Sequence, residues 1–172
     1  MNNTTDKDQH RNFKSSLKEF DTLLKICLVI GIVVISGFVI YHALKPEPGF
    51  VTFGILNENQ EAENYPTEAA MSENISFYLT VENYLERDFA FNVKIKKGDN
   101  NTVLSSTGSN GTFAFMINGS LNHKELWKSS KLNISFSQIG ANQIIIAELW
   151  QDFESKPEEF YNILWLRLNI TS

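Results

Sequence analysis

The sequence predicts a mainly β protein in which one membrane helix precedes an antiparallel β-sandwich of about seven strands. Two observations support this fold class. An apolar run without a formal charge, residues 26–44, lies near the N-terminus. From Phe50 onward, short segments in which every second residue is apolar recur between turn signals, which is typical of sheets with one buried face.

Composition bounds the size and the chemistry of the chain. Its 172 residues allow about one domain of ordinary size. Residues 46–172 carry nine Lys or Arg against sixteen Asp or Glu, a net charge of −7. An acidic surface repels phosphate backbones, so we expect no nucleic-acid partner. Cys27 is the only cysteine, so no disulfide forms within one chain.

The apolar run has the length of a membrane-spanning helix. Its nineteen residues span ~28 Å at about 1.5 Å each, close to the ~30 Å hydrocarbon core of a bilayer. A cleaved signal peptide is the alternative, but its apolar region is shorter and ends in small residues, where this chain has Tyr41. We therefore expect residues 26–44 to remain as an anchor in contact with membrane lipid.

The charges beside this run predict its orientation. Four basic residues lie close before it and only Lys45 follows closely, so we expect a cytoplasmic N-terminus. The four are Arg11, Lys14, Lys18 and Lys25. Residues 1–25 then form a cytoplasmic tail, of which residues 1–12 are expected to be disordered. An apolar stripe in the tail has helical spacing and leaves three alternatives: a helix on the inner leaflet, an extension of the membrane helix, or a solvated, partly helical tail. The stripe is Phe13, Leu17, Phe20 and Leu24.

Six Asn-x-Ser/Thr triplets, the acceptors of N-linked glycans, follow the apolar run. Their asparagines are Asn74, Asn100, Asn110, Asn118, Asn133 and Asn169. They agree with an extracellular C-terminal domain, although the abundance of asparagine in this region is an alternative explanation. Two further triplets, at Asn2 and Asn3, would lie in the cytoplasm and stay unmodified.

The outer domain is predicted to span residues 50–172, after a stiff linker at residues 45–49 that contains two prolines. Strands are predicted near residues 50–57, 75–81, 89–95, 113–117, 132–136, 142–153 and 160–171. Residues 57–71 are predicted to be an acidic connection, and residues 121–130 a helical turn.

The last predicted strand leaves one question open. Leu164, Leu166 and Leu168 alternate with Ile163 and Trp165 along it. If both faces of this strand are buried, Ile163 and Trp165 belong to the core. If the second face is exposed, they form an apolar patch suited to a protein partner.

Several short motifs in residues 50–172 follow one another in the order and spacing of a known domain. They are Tyr65-Pro66-Thr67, Val81-Glu82-Asn83, Trp127, Gly140 and Leu149. In this respect the chain resembles the C-terminal domain of an uncharacterised archaeal membrane-protein family, domain of unknown function 1616. The resemblance implies an extracytoplasmic immunoglobulin-like module with no established activity. Members of that family often carry several membrane helices before this domain, whereas one is predicted here.

The outer domain offers little catalytic or metal-binding chemistry. A serine–histidine–aspartate arrangement would have to use His123, because the other two histidines precede the domain. Carboxylates cluster in residues 58–63 and 152–159, but without the Asp/Asn and Gly pattern of a recognised calcium loop. We therefore expect no catalytic residue, no metal site and no cofactor.

These patterns predict a single-pass, membrane-anchored, extracytoplasmic binding or assembly module without catalytic activity. The expected partner is another envelope or membrane protein, of whose complex this chain is an accessory subunit. The alternative function is a structural tether or stator-like ectodomain that binds surface-layer or filament proteins.

Overall fold

The computed structural model describes the backbone of residues 5–45 and 48–172, with side chains from Phe20 onward. The chain separates into two compact units, Met1–Glu47 and Pro48–Ser172, and each is described by itself. Predicted features outside the described residues are Asn2, Asn3, Pro46 of the linker, and the side chains of Phe13 and Leu17.

The first unit contains one helix, α1, over Thr5–Leu44. Because α1 is continuous, the tail extends the apolar helix, and the predicted disorder of residues 1–12 is wrong from Thr5 onward. The stretch Phe20–Leu44 is long and apolar enough to cross a membrane, and its most apolar part is entirely unburied. A helix of this kind near an N-terminus is either a membrane anchor or a signal sequence.

The second unit is a β-sandwich, which confirms the predicted fold class. Its strands are β1 (Val51–Leu56), β2 (Glu68–Ala70), β3 (Ile75–Asn83), β4 (Phe89–Gly98), β5 (Leu104–Ser105), β6 (Gly108–Ser109), β7 (Thr112–Leu121), β8 (Leu126–Lys128), β9 (Leu132–Ile134), β10 (Gly140–Gln151) and β11 (Glu159–Thr171). One sheet has the order β1-β3-β8, with β9 also paired to β3, and the other has the order β2-β11-β10-β4-β7. The hairpin β5-β6 belongs to neither sheet.

The connections give the sandwich an immunoglobulin-like topology. The chain passes from β1 in the first sheet to β2 in the second and back to β3. It then crosses to the second sheet between β3 and β4, returns between β7 and β8, and crosses again between β9 and β10. All pairs within the two sheets are antiparallel except the short β2, which lies parallel to β11. The acidic connection predicted for residues 57–71 therefore contains one strand that periodicity did not indicate.

Alternating apolar residues fill the space between the sheets, as predicted. Each such side chain contributes about 1.5–3 kcal/mol through burial. The core residues of β3 and β4 are Ile75, Phe77, Leu79, Val81, Phe89, Phe91, Val93 and Ile95, all at most 4% exposed. The core residues of β10 and β11 are Ile145, Ala147, Leu149, Leu166, Leu168 and Ile170.

Residues 121–130 do not form the predicted helical turn; they contain a tight turn and strand β8. β8 and β9 pair with the same strand, β3, and a bulge centred on Ser129 separates them. The Ser129 N–H donates to the Leu79 carbonyl (2.9 Å), and the Leu79 N–H donates to Ser129 Oγ (3.0 Å). The Ser129 hydroxyl thus accepts the hydrogen bond that a backbone carbonyl would accept in a regular strand pair. The prediction failed because the partner of this segment is 50 residues away in sequence.

Asn83, fully buried at the end of β3, joins two turns of the sandwich. Its Nδ2 donates to the carbonyls of Arg87 (2.7 Å) and Leu121 (3.0 Å). Its Oδ1 accepts from the Leu85 N–H (2.9 Å). The β3-β4 turn and the end of β7 are therefore held by one amide.

Asn83→Ala is expected to lower the free energy of unfolding by about 3 kcal/mol, because it removes three hydrogen bonds and leaves the buried Leu121 carbonyl without its Asn83 donor. Urea unfolding of the full chain in detergent, followed by tryptophan fluorescence, measures this change. Asn59→Ala, in an exposed loop, is the control and should change stability by less than about 0.5 kcal/mol. Equal effects of the two variants would contradict the joining role of Asn83.

Candidate interaction surface on the five-stranded sheet

The segment between β4 and β7 folds back over the outer face of the five-stranded sheet. We call residues 99–111, which contain the β5-β6 hairpin, the flap. A Cβ at Gly111 would lie 2.9 Å from Ile146 Cδ1 and 3.0 Å from the Lys97 carbonyl oxygen, so the flap backbone lies close against the sheet here. Gly108 has a positive φ of 111°, and a Cβ there would lie 3.2 Å from Trp150 Cζ2 and 3.4 Å from Glu148 Oε2. Ile146 is fully buried, although it faces away from the sandwich core.

Glu148 is a second outward-facing residue of β10 that the flap encloses completely. Its carboxylate accepts hydrogen bonds from the Ser109 N–H and from Ser109 Oγ, both at 2.6 Å, and from Trp150 Nε1 at 3.1 Å. Lys96 Nζ lies 2.9 Å from the same carboxylate and also donates to the Ser109 carbonyl (2.8 Å). A buried charge is tolerated only when it is paired and hydrogen-bonded, and here both conditions hold. Glu148 therefore fastens the flap to the sheet.

The pKa of Glu148 reflects this enclosure. Burial by itself raises the pKa, but hydrogen bonds from Ser109, Lys96 and Trp150 outweigh it and hold the pKa below the ordinary value of 4.5. The carboxylate is therefore ionised at neutral pH. Because its pKa is depressed in the folded state, Glu148 stabilises the fold above its unfolded-state pKa, and this contribution is lost as the pH falls through its folded-state pKa.

A second polar cluster lies beside the flap. Lys94 Nζ is 4.2 Å from the centroid of the Trp150 ring and forms an ion pair with Glu158. Asn92 Nδ2 also donates to Glu158 (3.2 Å), and the Phe160 ring meets Trp150 edge-on, with 5.4 Å between centroids. The indole of Trp150 thus contacts both the Lys94 ammonium group and the Phe160 ring.

A cleft of about 550 Å³ lies between this cluster and the flap. Ser105 and Thr107 of the flap line it, together with Trp150 and the two lysines Lys94 and Lys96. Both lysines already pair with carboxylates. The cleft therefore presents hydroxyl groups and an indole, with little uncompensated charge.

The structure places the second face of β11 outside the core. Trp165 is 48% exposed and Ile163 is half-buried. In the β10-β11 register these residues lie opposite Ile146 and Glu148, the two residues that the flap covers. Trp165 therefore belongs to an exposed apolar patch and not to the core. The patch borders the side of the flap that faces β11.

All six triplet asparagines are exposed, as an acceptor of a glycan must be. Asn74 and Asn100 lie outside the strands, and Asn110 lies in the flap. The other three, Asn118, Asn133 and Asn169, occupy outward-facing positions in strands. The structure thus scatters them over both sheets.

Within the described part of the chain, no group of three or more His, Cys, Asp or Glu side chains could hold a metal ion. Glu58, Glu61 and Glu63 are exposed in their loop. His123 Nδ1 accepts a hydrogen bond from the Glu86 N–H (3.0 Å), so this histidine braces the β3-β4 turn.

Sequence reasoning did not identify Glu148 or the flap. A signal was present in the segment Ile144-Ile145-Ile146-Ala147-Glu148-Leu149, where apolar residues occupy successive positions. Such a strand is buried on both faces, which requires a further layer on the outer side. A glutamate inside that run indicates a buried, paired carboxylate.

Comparison with known proteins gives limited similarity. No protein-family model matches the sequence, and no curated protein matches it. Among solved structures, the chain is similar to the CARDB domain of the PF1109 protein from Pyrococcus furiosus, crystallised with di-metal ions. That match has a TM-score of 0.47 and 17% identity, and it covers 74% of this chain and 93% of that one.

Two further structures show similarity of the same order. The C-terminal domain of wzt matches at 11% identity and a TM-score of 0.42, over 74% of this chain and 80% of that one. A β-glucosidase from Erythrobacter marinus matches at 10% identity and a TM-score of 0.47, over 72% of this chain but only 16% of the enzyme.

Glu148→Gln is expected to lower stability at neutral pH and to reduce the loss of stability on acidification, because the amide has no depressed pKa to titrate. Thermal unfolding of the full chain, measured from pH 7 to below about pH 4.5, tests this. Glu154→Gln, at an exposed position, is the control and should retain the wild-type pH profile. Identical profiles for Glu148→Gln and wild type would contradict the fastening role.

Proposed function

We propose that this chain is a single-pass membrane protein that presents its β-sandwich outside the cytoplasm as a non-catalytic binding or assembly module. In this proposal it is an accessory subunit of an envelope or membrane complex. The resemblance to the archaeal family named above supports the same assignment. The apolar helix carries the proposal.

An exposed helix of this length needs an apolar environment. None of the most apolar part of Phe20–Leu44 is covered by the protein. Soluble proteins rarely expose contiguous apolar surface of this extent, and a lipid bilayer of about 30 Å matches it. Tyr41 near its end is unsuited to signal-peptide cleavage, which favours an anchor that is retained.

The binding role is supported by the outer face of the five-stranded sheet. An exposed tryptophan is a frequent anchor of protein interfaces, because its large ring buries much surface on contact. Trp165 lies in the central part of β11, next to half-buried Ile163 and the flap. We assign this patch to contact with a protein partner.

Protease treatment of intact cells tests the topology. We expect residues 50–172 to be digested without membrane lysis, and the intact mass of the purified chain to include residues 1–44. Digestion only after lysis would reverse the orientation, and a mature chain that begins after residue 44 would show a signal peptide instead of an anchor.

The role of the patch is tested by Trp165→Ala, with Leu126→Ala as a matched control at an exposed apolar residue of the other sheet, 60% exposed. Both should change stability by less than about 1 kcal/mol. After purification in mild detergent from native membranes, we expect Trp165→Ala alone to lose the co-purifying partner. Equal recovery with both variants would refute the assignment, whereas recovery of surface-layer or filament proteins would favour the tether.

Glycosylation is tested by mass spectrometry of the same preparation. We expect added mass on peptides with exposed triplets, and Asn74→Gln should remove it from its own peptide only. Asn59→Gln, an exposed asparagine outside any triplet, should change no glycan. A chain without added mass at any of the six positions would contradict this expectation.

A further inference from the structure

The four sheet edges of the sandwich differ in how well they are protected from strand pairing. An edge strand presents unpaired N–H and C=O groups, and proteins blunt such edges with charges, bulges, short strands or covering groups. On β1, the Val51 N–H donates to the Tyr161 hydroxyl (3.1 Å), and the Ile55 carbonyl accepts from the Tyr65 hydroxyl (2.6 Å). Two tyrosines thus occupy backbone groups of this edge.

Two further edges are blunted by other devices. The β8-β9 edge is interrupted by the bulge at Ser129, and it carries Lys128 and Lys131. β2 has only three residues, one of them Glu68. β2 pairs only with Asn169–Thr171, and the rest of that side of β11 includes the charged residues Glu159 and Arg167. Both of these edges therefore carry charges.

β7, the remaining edge, has none of these protections over most of its length. Its ten residues, TFAFMINGSL, include neither a charged residue nor a proline. It pairs with β4 on one side and ends the sheet on the other. A bulge lies near its start, but residues 115–121 stay in unbroken register with β4. Among residues 48–172, the hydrogen bonds to its backbone outside that ladder reach only Leu121, from Asn83.

The surroundings of β7 are apolar and close to neutral. Phe113 and Met116 are 57% and 46% exposed on it. In register with them on β4 lie Lys96 and Lys94, and these two lysines already pair with Glu148 and Glu158.

We propose that β7 is an interaction edge onto which a second copy of this chain adds its own β7 in antiparallel orientation, joining two five-stranded sheets into one. A two-fold axis aligns identical strands in this way and makes each contribute the same ladder. Two copies of a domain in which acidic residues exceed basic ones by six repel each other over most of their surfaces. β7 contains no charged residue, so two β7 strands placed side by side bring no like charges together. A second copy therefore meets less repulsion at this edge than over the rest of the domain.

The test compares three forms of the full chain in detergent. Phe113→Lys with Met116→Lys places charges on the exposed edge and leaves all six glycan triplets intact. The control, Val103→Lys with Ile139→Lys, makes the same chemical change at apolar residues that are 63% and 60% exposed elsewhere. Thermal unfolding should show that all three forms are folded.

Light scattering after size-exclusion chromatography, over a dilution series, gives the oligomeric state. We expect the wild type and the control to be dimers that dissociate on dilution. The Phe113→Lys/Met116→Lys form should dimerise at least about tenfold more weakly, because like charges opposite one another destabilise a strand pair. Hydrogen–deuterium exchange should show β7 amides that are protected in the dimer and lose this protection in the lysine form.

Three results would overturn the proposal. A wild type that is monomeric over the whole series excludes the second copy. A dimer that survives both lysines unchanged is held by another surface, such as α1. A pure chain that is monomeric, but whose β7 amides become protected by a different protein in native membranes, assigns the edge to that protein instead.

Discussion

The burial of β10 on both faces is the constraint on which the arrangement of the flap and the outer face of the five-stranded sheet depends. From Ile144 to Leu149 every residue of this strand is buried, so a single sheet-on-sheet contact cannot cover it. One face closes the sandwich core, and the other needs the flap. Glycine at positions 108 and 111 lets the flap backbone approach the strand. Because the covered face includes Glu148, the flap must also supply hydrogen bonds, which Ser109 does through both its N–H and its hydroxyl.

This arrangement divides the outer face of the five-stranded sheet. On the β4 side of the flap lies the cleft lined by Trp150 and hydroxyl groups, and on the β11 side lies the patch of Ile163 and Trp165. Beyond β4 lies the open edge of β7. The opposite sheet instead ends in lysines and a bulge. The two sheets are therefore unequal: one has blunted edges, and the other carries the exposed aromatic and edge features.

Much of the fold was predictable because it depends on local alternation. On β3 and β4, all eight predicted inward residues are buried, since period-two burial needs only a sheet with one covered face. The prediction for residues 121–130 failed because three residues, Leu126–Lys128, form a strand only when β3 is beside them. β2 was missed for the same reason: Glu68–Ala70 has no pattern of its own and is held by β11. Of the site, the sequence identified Ile163 and Trp165 but left their exposure open.

Residue types and their short-range order were enough to predict the apolar helix, the antiparallel sandwich, the acidic character of the second unit and the six candidate glycan acceptors. Three features became visible only in the folded domain: which face of β11 is outside, that Glu148 is a buried fastening group, and that β7 is an unblunted edge. These features depend on which distant segments lie against one another. Periodicity shows that a strand has two faces, but only the packing of the flap and the neighbouring strands decides what covers each of them.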